Sequence, residues 1–264
     1  MLWLWLKVPA WVGLSQASGG ITAPDFPFGI VQLAPWSLGR GKDANNGCGQ
    51  STDCEVAKVR WAQELVHRSS NNTFLAVTTD LADFDSPYGS IHPRHKIPVG
   101  DRLALGARSV AYKERGVYSA GPGTPVATMD ANTKGVRVQF TSCTAGGIQL
   151  HDTVGFEVSS GPDGVWRAAA VVPNATVQAA CAVGLERVAS AGASRVRYNW
   201  FRSTCFANET SAKVCGEEGC GAGRCAVYSG GARGVSGAPG TPHGAPVPAG
   251  LPAAPFLIEL TTHP

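Results

Sequence analysis

Near residue 120 the hydrophobic period of this chain changes from a helical one to a period of two, so no single repeating architecture accommodates both halves. Before the change, Phe28 to Ala34 (FGIVQLA) is a short apolar run between Pro27 and Pro35, as expected of a strand buried on both faces. Thr52 and Glu55 have the spacing of a capping box and open a segment with Val56, Val59, Ala62 and Val66 at helical intervals. Phe74 to Thr79 (FLAVTT) reads as a second buried strand, followed by a loop from Asp80 to His92 rich in Asp, Ser, Pro and Gly. A second helix is predicted to run to about Arg115, with Val99, Leu103, Gly106 and Val110 on one face and Gly116 as its stop. Strand, helix, strand, loop, helix is the order of an α/β domain with a parallel sheet.

After residue 120, Val136-x-Val138-x-Phe140, Val154-x-Phe156-x-Val158 and Val196-x-Tyr198-x-Trp200 alternate, and Pro255 to Thr261 (PFLIELT) reads as a closing strand. This half is expected to be an antiparallel β-domain. Between Ser229 and Pro255 a Gly/Pro/Ala tract buries too little apolar surface to order itself and reads as a mobile insertion. The expected organisation is a divergent or signal-like segment over 1–25, an α/β part over 26–120 and a β-rich part over 121–264. With 33 Gly, 18 Pro and only 16% charged residues, long helical bundles are excluded.

The net charge is +3 and the 22 basic residues are scattered, so the electrostatic footprint of a nucleic-acid binder is missing and a small-molecule or glycan partner fits better. The cysteines are Cys48, Cys54, Cys143, Cys181, Cys205, Cys215, Cys220 and Cys225, an even number without a CxxC pair. Disulfides are expected rather than metal ligation, with pairing open. Sequons at Asn71, Asn174 and Asn208 mark candidate glycosylation sites, and with the cysteines they point to a secretory or lysosomal route. Met1 to Leu14 reads either as a signal-peptide core or as a non-native start. No other apolar stretch reaches the roughly 18 to 20 residues of a membrane span.

Asp80 to Arg94 (DLADFDSPYGSIHPR) is the most informative segment, because functional groups in open α/β sheets gather on loops at the carboxyl ends of strands. It offers Asp80, Asp83 and Asp85 and one imidazole, His92, fixed by Pro93. A histidine oriented by a carboxylate is the base half of a hydrolase triad. The bland alternative is a loop histidine among aspartates that form turns and cap helices. Trp61, Trp166 and Trp200 read as packing aromatics. His95 has no partners at ligand spacing, so neither a metal nor a cofactor is expected.

Several blocks in order resemble the C-terminal half of the sialate O-acetylesterases: FPFGIVQL at Phe26 to Leu33, Arg60-Trp61 with Gln63, NTFLAVTT at Asn72 to Thr79 running through DSPYGSIHPR, and RLALGARSVAY at Arg102 to Tyr112. Arg197-Tyr198-Asn199-Trp200 and Leu251 to Phe256 resemble the tail of the same family. The resemblance implies a serine esterase of the SGNH-hydrolase type that removes O-acetyl groups, chiefly 9-O-acetyl, from sialic acids or sialoglycans in lysosomes or the secreted pool. It makes His92 the catalytic histidine, with Asp85 as first and Asp80 as second choice of partner, because Gly89 stands three residues before His92, where many SGNH enzymes carry the aspartate. Arg94, or else Arg102, is the expected partner of the substrate carboxylate. The family's nucleophilic serine lies upstream of the FPFG-like block, and neither Ser15 nor Ser51 stands in a matching motif. The expectation is an incomplete chain lacking the nucleophile-bearing half; the alternative is an inactive glycan- or protein-binding isoform or fragment.

Overall fold

The computed structural model describes residues 17, 19, 26–36, 54–84, 86–130, 135–161, 164–186, 193–205, 215–216, 219–220, 225–230 and 250–263. Thr52 of the expected capping box, Ser15, Ser51, most of segment 1–25 and most of the Gly/Pro tract lie outside the described residues.

Strand β1 (Phe28–Val31) pairs in parallel with β2 (Thr73–Ala76), placing Phe28 opposite Thr73 and Val31 opposite Ala76. Helix α1 (Glu55–Ser69) lies between them in sequence, so the three elements form a β-α-β crossover. The helix begins after Cys54 without a side-chain cap, carries Glu55 in its first turn and His67 and Arg68 in its last, and suits its dipole at both ends. Val56, Ala57, Ala62 and Val66 are buried as their spacing predicts, but Val59 is 40% exposed. The inward position near it is taken by Arg60, which is fully buried. Helix α2 (Ile97–Gly106) starts with Pro98 in its first turn, where a missing N–H costs nothing, and continues as a π-turn (Ala107–Ala111) instead of running to Arg115. It packs on β2, and Gly106 and Gly29 leave room for the Phe74 ring, which a Cβ on either would strike.

The second half holds β3 (Pro125–Asp130), β4 (Val136–Phe140), β5 (Ile148–Leu150), β6 (Phe156–Ser159), β7 (Arg167–Ala168), β8 (Val171–Val172), a short α3 (Ala175–Ala179), β9 (Ala182–Leu185), β10 (Arg195–Tyr198), β11 (Cys215–Gly216), β12 (Gly219–Cys220), β13 (Val227–Ser229) and β14 (Phe256–His263). Eight of these strands form one sheet in the order β7-β6-β10-β14-β3-β4-β9-β8. Its edge strands β7 and β8 are separated in sequence only by Ala169 and Ala170, so two residues of chain span from one edge to the other. At about 3.5 Å per residue the sheet must curl until its edges nearly meet. Its inner face holds one contiguous apolar cluster in which Phe140, Phe156, Tyr198 and Phe256 meet edge-on, tilted or stacked at 4.6–6.2 Å.

The sheet is mixed, because β14 pairs antiparallel with β10 but parallel with β3. The PFLIELT run forms the last strand, as expected, but it fills the centre of the sheet, between β10 and β3. Alternation holds in β3 and β4, whereas β6 is buried at every position. Its outward Glu157 stands opposite Arg197 of β10, whose guanidinium forks onto the carboxylate at 2.7 and 3.0 Å and lies 4.2 Å over the buried Trp166 ring. Val154, outside the strand, is exposed. Disulfides join Cys143 to Cys181 and Cys205 to Cys225.

The two halves interlock through main-chain groups. Arg60 donates to the carbonyls of Leu33 (2.7 Å), Ala34 (2.7 Å), Phe201 (2.5 Å) and Arg202 (2.9 Å), which ties β1 to the segment after β10. Burial pulls its guanidinium down to about 9, still protonated at neutral pH. Gln63 bonds Leu33 N–H and Val31 C=O, each at 2.9 Å, as a neighbouring strand would. Thr204 donates to the Thr79 carbonyl at 2.8 Å, and the Thr79 hydroxyl lies 3.6 Å from Cys225 Sγ.

Candidate active site

Strand β2 delivers the chain into a run of fully or nearly fully buried polar residues, Thr78, Thr79, Asp80 and Asp83, before the loop turns outward to His92. Asp80 receives a fork from Arg102 of α2, both bonds at 2.7 Å, and a third bond from the Tyr228 hydroxyl of β13 at 3.2 Å. Arg102 also donates to the Val77 carbonyl. Burial alone would lower the Arg102 guanidinium, but the Asp80 carboxylate outweighs it and holds it above its ordinary value. Burial, reinforced by the same carboxylate, pushes the Tyr228 hydroxyl well above 10, so it stays protonated and donates. Asp80 is therefore engaged in the interior by Arg102 and Tyr228.

Beyond Asp83 the loop advances in three successive turns: Ser86 N–H bonds to Asp83 C=O (3.2 Å), Gly89 N–H to Ser86 C=O (3.1 Å) and His92 N–H to Gly89 C=O (2.9 Å). The Ser86 hydroxyl donates to the His92 carbonyl at 2.7 Å and accepts from Tyr88 N–H at 3.3 Å. Gly89 has φ of +94°, a conformation that an aspartate adopts only under strain.

His92 is exposed and lines an open depression of about 760 Å³ with Tyr88, Pro93, Arg94 and Lys96. Arg94 is pinned rather than splayed: its Nε and one terminal nitrogen fork onto Asp83 at 2.7 and 2.8 Å, and its own backbone N–H adds a third bond to the same carboxylate at 2.9 Å. Burial acts to raise the Asp83 carboxyl, yet the Arg94 hydrogen bonds and charge hold it below its ordinary 3.8. The structure thus brings His92 and Arg94 to one depression and sends Asp80 to the interior. Asp85 lies outside the described residues, and among those described no carboxylate is bonded to the His92 ring. Asn71 is exposed in the turn before β2, Asn174 is the exposed N-cap of α3 with its side-chain oxygen accepting from Val177 N–H at 3.1 Å, and Asn208 is outside the described residues. No group of potential metal ligands occurs among the described residues. None of the described helices is long and apolar enough to cross a membrane.

The sequence did not reveal the Asp83–Arg94 fork or the role of Tyr228. The first joins two polar positions of one loop with no periodic signal, and the second crosses 148 residues.

Sialate O-acetylesterase of Mus musculus is 43% identical over 110 residues, 40% of this chain and 18% of that protein. The Homo sapiens protein of the same name is 41% identical over 112 residues, 40% of this chain and 20% of its own length. Over two fifths of its length, this chain is sialate O-acetylesterase-like. The matched segment spans about a fifth of the length of these relatives. A solved carbohydrate acetylesterase from Xanthomonas citri superposes on 93% of the chain, and on 43% of its own, with a TM-score of 0.57 and 22% identity, which makes the likeness to it one of fold. No family model matches the chain. The sialate O-acetylesterase-like character thus rests on sequence identity over two fifths of the chain.

Proposed function

We propose that this protein is an esterase that hydrolyses O-acetyl esters of sialic acids, chiefly at the 9-position, using an SGNH-type arrangement in which His92 is the general base. The observation that carries the reading is the coincidence of a segment more than 40% identical to sialate O-acetylesterases with an imidazole held exposed, by three consecutive turns, at an open depression. In this reading His92 takes the proton of a serine hydroxyl as its oxygen attacks the acetyl carbonyl, and returns it to the sugar oxygen as that bond breaks. Water then repeats the sequence on the acetyl-serine, releasing acetate. The serine comes from outside the described residues, and Asp85 is the carboxylate proposed to orient the imidazolium. Arg94 and Lys96 line the depression as the positive groups for the substrate's carboxylate.

The lysosomal or secretory location belongs to the same proposal, supported by the disulfides Cys143–Cys181 and Cys205–Cys225 and the exposed sequon asparagines Asn71 and Asn174. The test is acetate release from 9-O-acetylated sialic acid by the purified chain and by His92→Ala, with folding of both confirmed. Loss of activity in the variant supports the reading. No release from a folded wild-type chain overturns it for this chain acting alone and favours either a chain that lacks its own nucleophile or a glycan- or protein-binding role.

A further inference from the structure

We propose that Asp83 is the positioning residue for His92, acting through Arg94, a role that rests on the esterase reading for its catalytic meaning but on geometry for its existence. Asp83 is completely buried at the root of the loop, and Arg94 stands two residues past the histidine. Three hydrogen bonds of 2.7–2.9 Å, two from the guanidinium and one from the Arg94 backbone, converge on this single carboxylate. The carboxylate therefore closes the loop as a clasp, joining its ends across eleven positions. The backbone bonds that hold His92 lie inside the clasp: the turns ending at Ser86, Gly89 and His92, and the Ser86 hydroxyl on the His92 carbonyl.

The residue types fit the task. An aspartate is short enough to reach the Arg94 backbone N–H and its guanidinium together, and the planar fork of arginine matches both carboxylate oxygens where lysine would offer one point charge. The clasp also fixes the guanidinium where it borders the depression, so the same carboxylate sets the histidine and the neighbouring positive charge.

The experiment compares the wild-type chain with Asp83→Asn, Arg94→Lys and the double variant, reading the His92 ring resonances by NMR together with amide hydrogen exchange. An amide keeps one acceptor oxygen, so Asp83→Asn is expected to move the His92 ring resonances and to speed exchange over residues 86–96 by about tenfold or more, while amides of β3 and β4 keep their protection. Arg94→Lys is expected to shift the same resonances, and the double variant to add little, because both act through one clasp. Unchanged His92 resonances in a folded Asp83→Asn, or fully additive effects in the double variant, overturn the proposal. Should Asp83→Asn fail to fold, the same readout on Arg94→Lys decides, since that side chain is 24% exposed and its replacement keeps the charge. Acetate release, where His92 supports it, is expected to fall in kcat, with KM rising as well because the Arg94 guanidinium at the depression is displaced. An absence of His92-dependent release would overturn the esterase reading while leaving the resonance and exchange results to judge the clasp.

Discussion

The curled eight-stranded sheet and the β-α-β part before it are held together by opposite means. The sheet encloses one apolar cluster whose members, such as Val138, Val196 and Phe256, are replaceable in kind, because transfer from water and close packing have no direction. The β-α-β part has only small apolar clusters, and its interior is finished by charge: Arg60 on four carbonyls, Arg102 on Asp80, and Asp83 under Arg94. Burying ions costs more than burying hydrocarbon and repays it only when every lone pair and proton is matched, so such contacts fix position where apolar contacts fix proximity. The His92 loop is built on the second kind. A site that must aim one imidazole has use for directional bonds, whereas a supporting sheet needs only a filled interior.

The contrast can be broken most sharply by paired truncations. Arg102→Met strands a buried Asp80 and is expected to cost about 4 kcal/mol, whereas Val138→Ala in the sheet is expected to cost about 2 kcal/mol. Denaturant unfolding measures both. If the two costs proved equal, or Arg102→Met were neutral, the charge-finished interior would be no different in kind from the sheet.

A smaller effect should follow from Tyr228→Phe, which removes one donor from Asp80 and leaves the Arg102 fork intact. About 1.5 kcal/mol is expected, and exchange at residues 80–84 should quicken more than exchange in β3 and β4, since Tyr228 joins β13 to the root of the loop. The smallest effect belongs to acid. Because the folded Asp83 carboxyl lies below its ordinary 3.8, the stability it contributes is complete above that value and is lost as pH falls through the folded one. Thermal midpoints between pH 5 and pH 2 should therefore fall more steeply in wild type than in Asp83→Asn, and parallel curves would remove Asp83 from the account.

The same contrast explains what could be read in advance. Period-two alternation located β4, β6 and β10, and two short apolar runs, one of them between prolines, located β1 and β2, because burial of hydrocarbon leaves a regular trace in sequence. The regular trace failed where a charge took the inward position: Val59 was assigned to the face that Arg60 occupies, and β6 is buried at Glu157 because Arg197 and Trp166 cover it. It also could not say that PFLIELT is central, since pairing order is a tertiary fact. In the site, the polar loop and its histidine were legible from composition and resemblance. The partners Asp80–Arg102 and Asp83–Arg94 were not, because 22 and 11 positions separate them with no period to connect them.

The central place of β14 has a consequence for how the chain acquires its shape during synthesis. Residues 256–263 fill the gap between β10 and β3, and Thr261 bonds back to Ala127 across 134 positions. Until that stretch has left the ribosome, β7-β6-β10 and β3-β4-β9-β8 are two separate ribbons, each with an unsatisfied edge facing the missing strand. Such long-range closure is slow, and it leaves the nascent sheet open to wrong partners until β14 arrives. Premature stops or frameshifts after residue 230 would therefore leave most strands present and the protein without a continuous sheet.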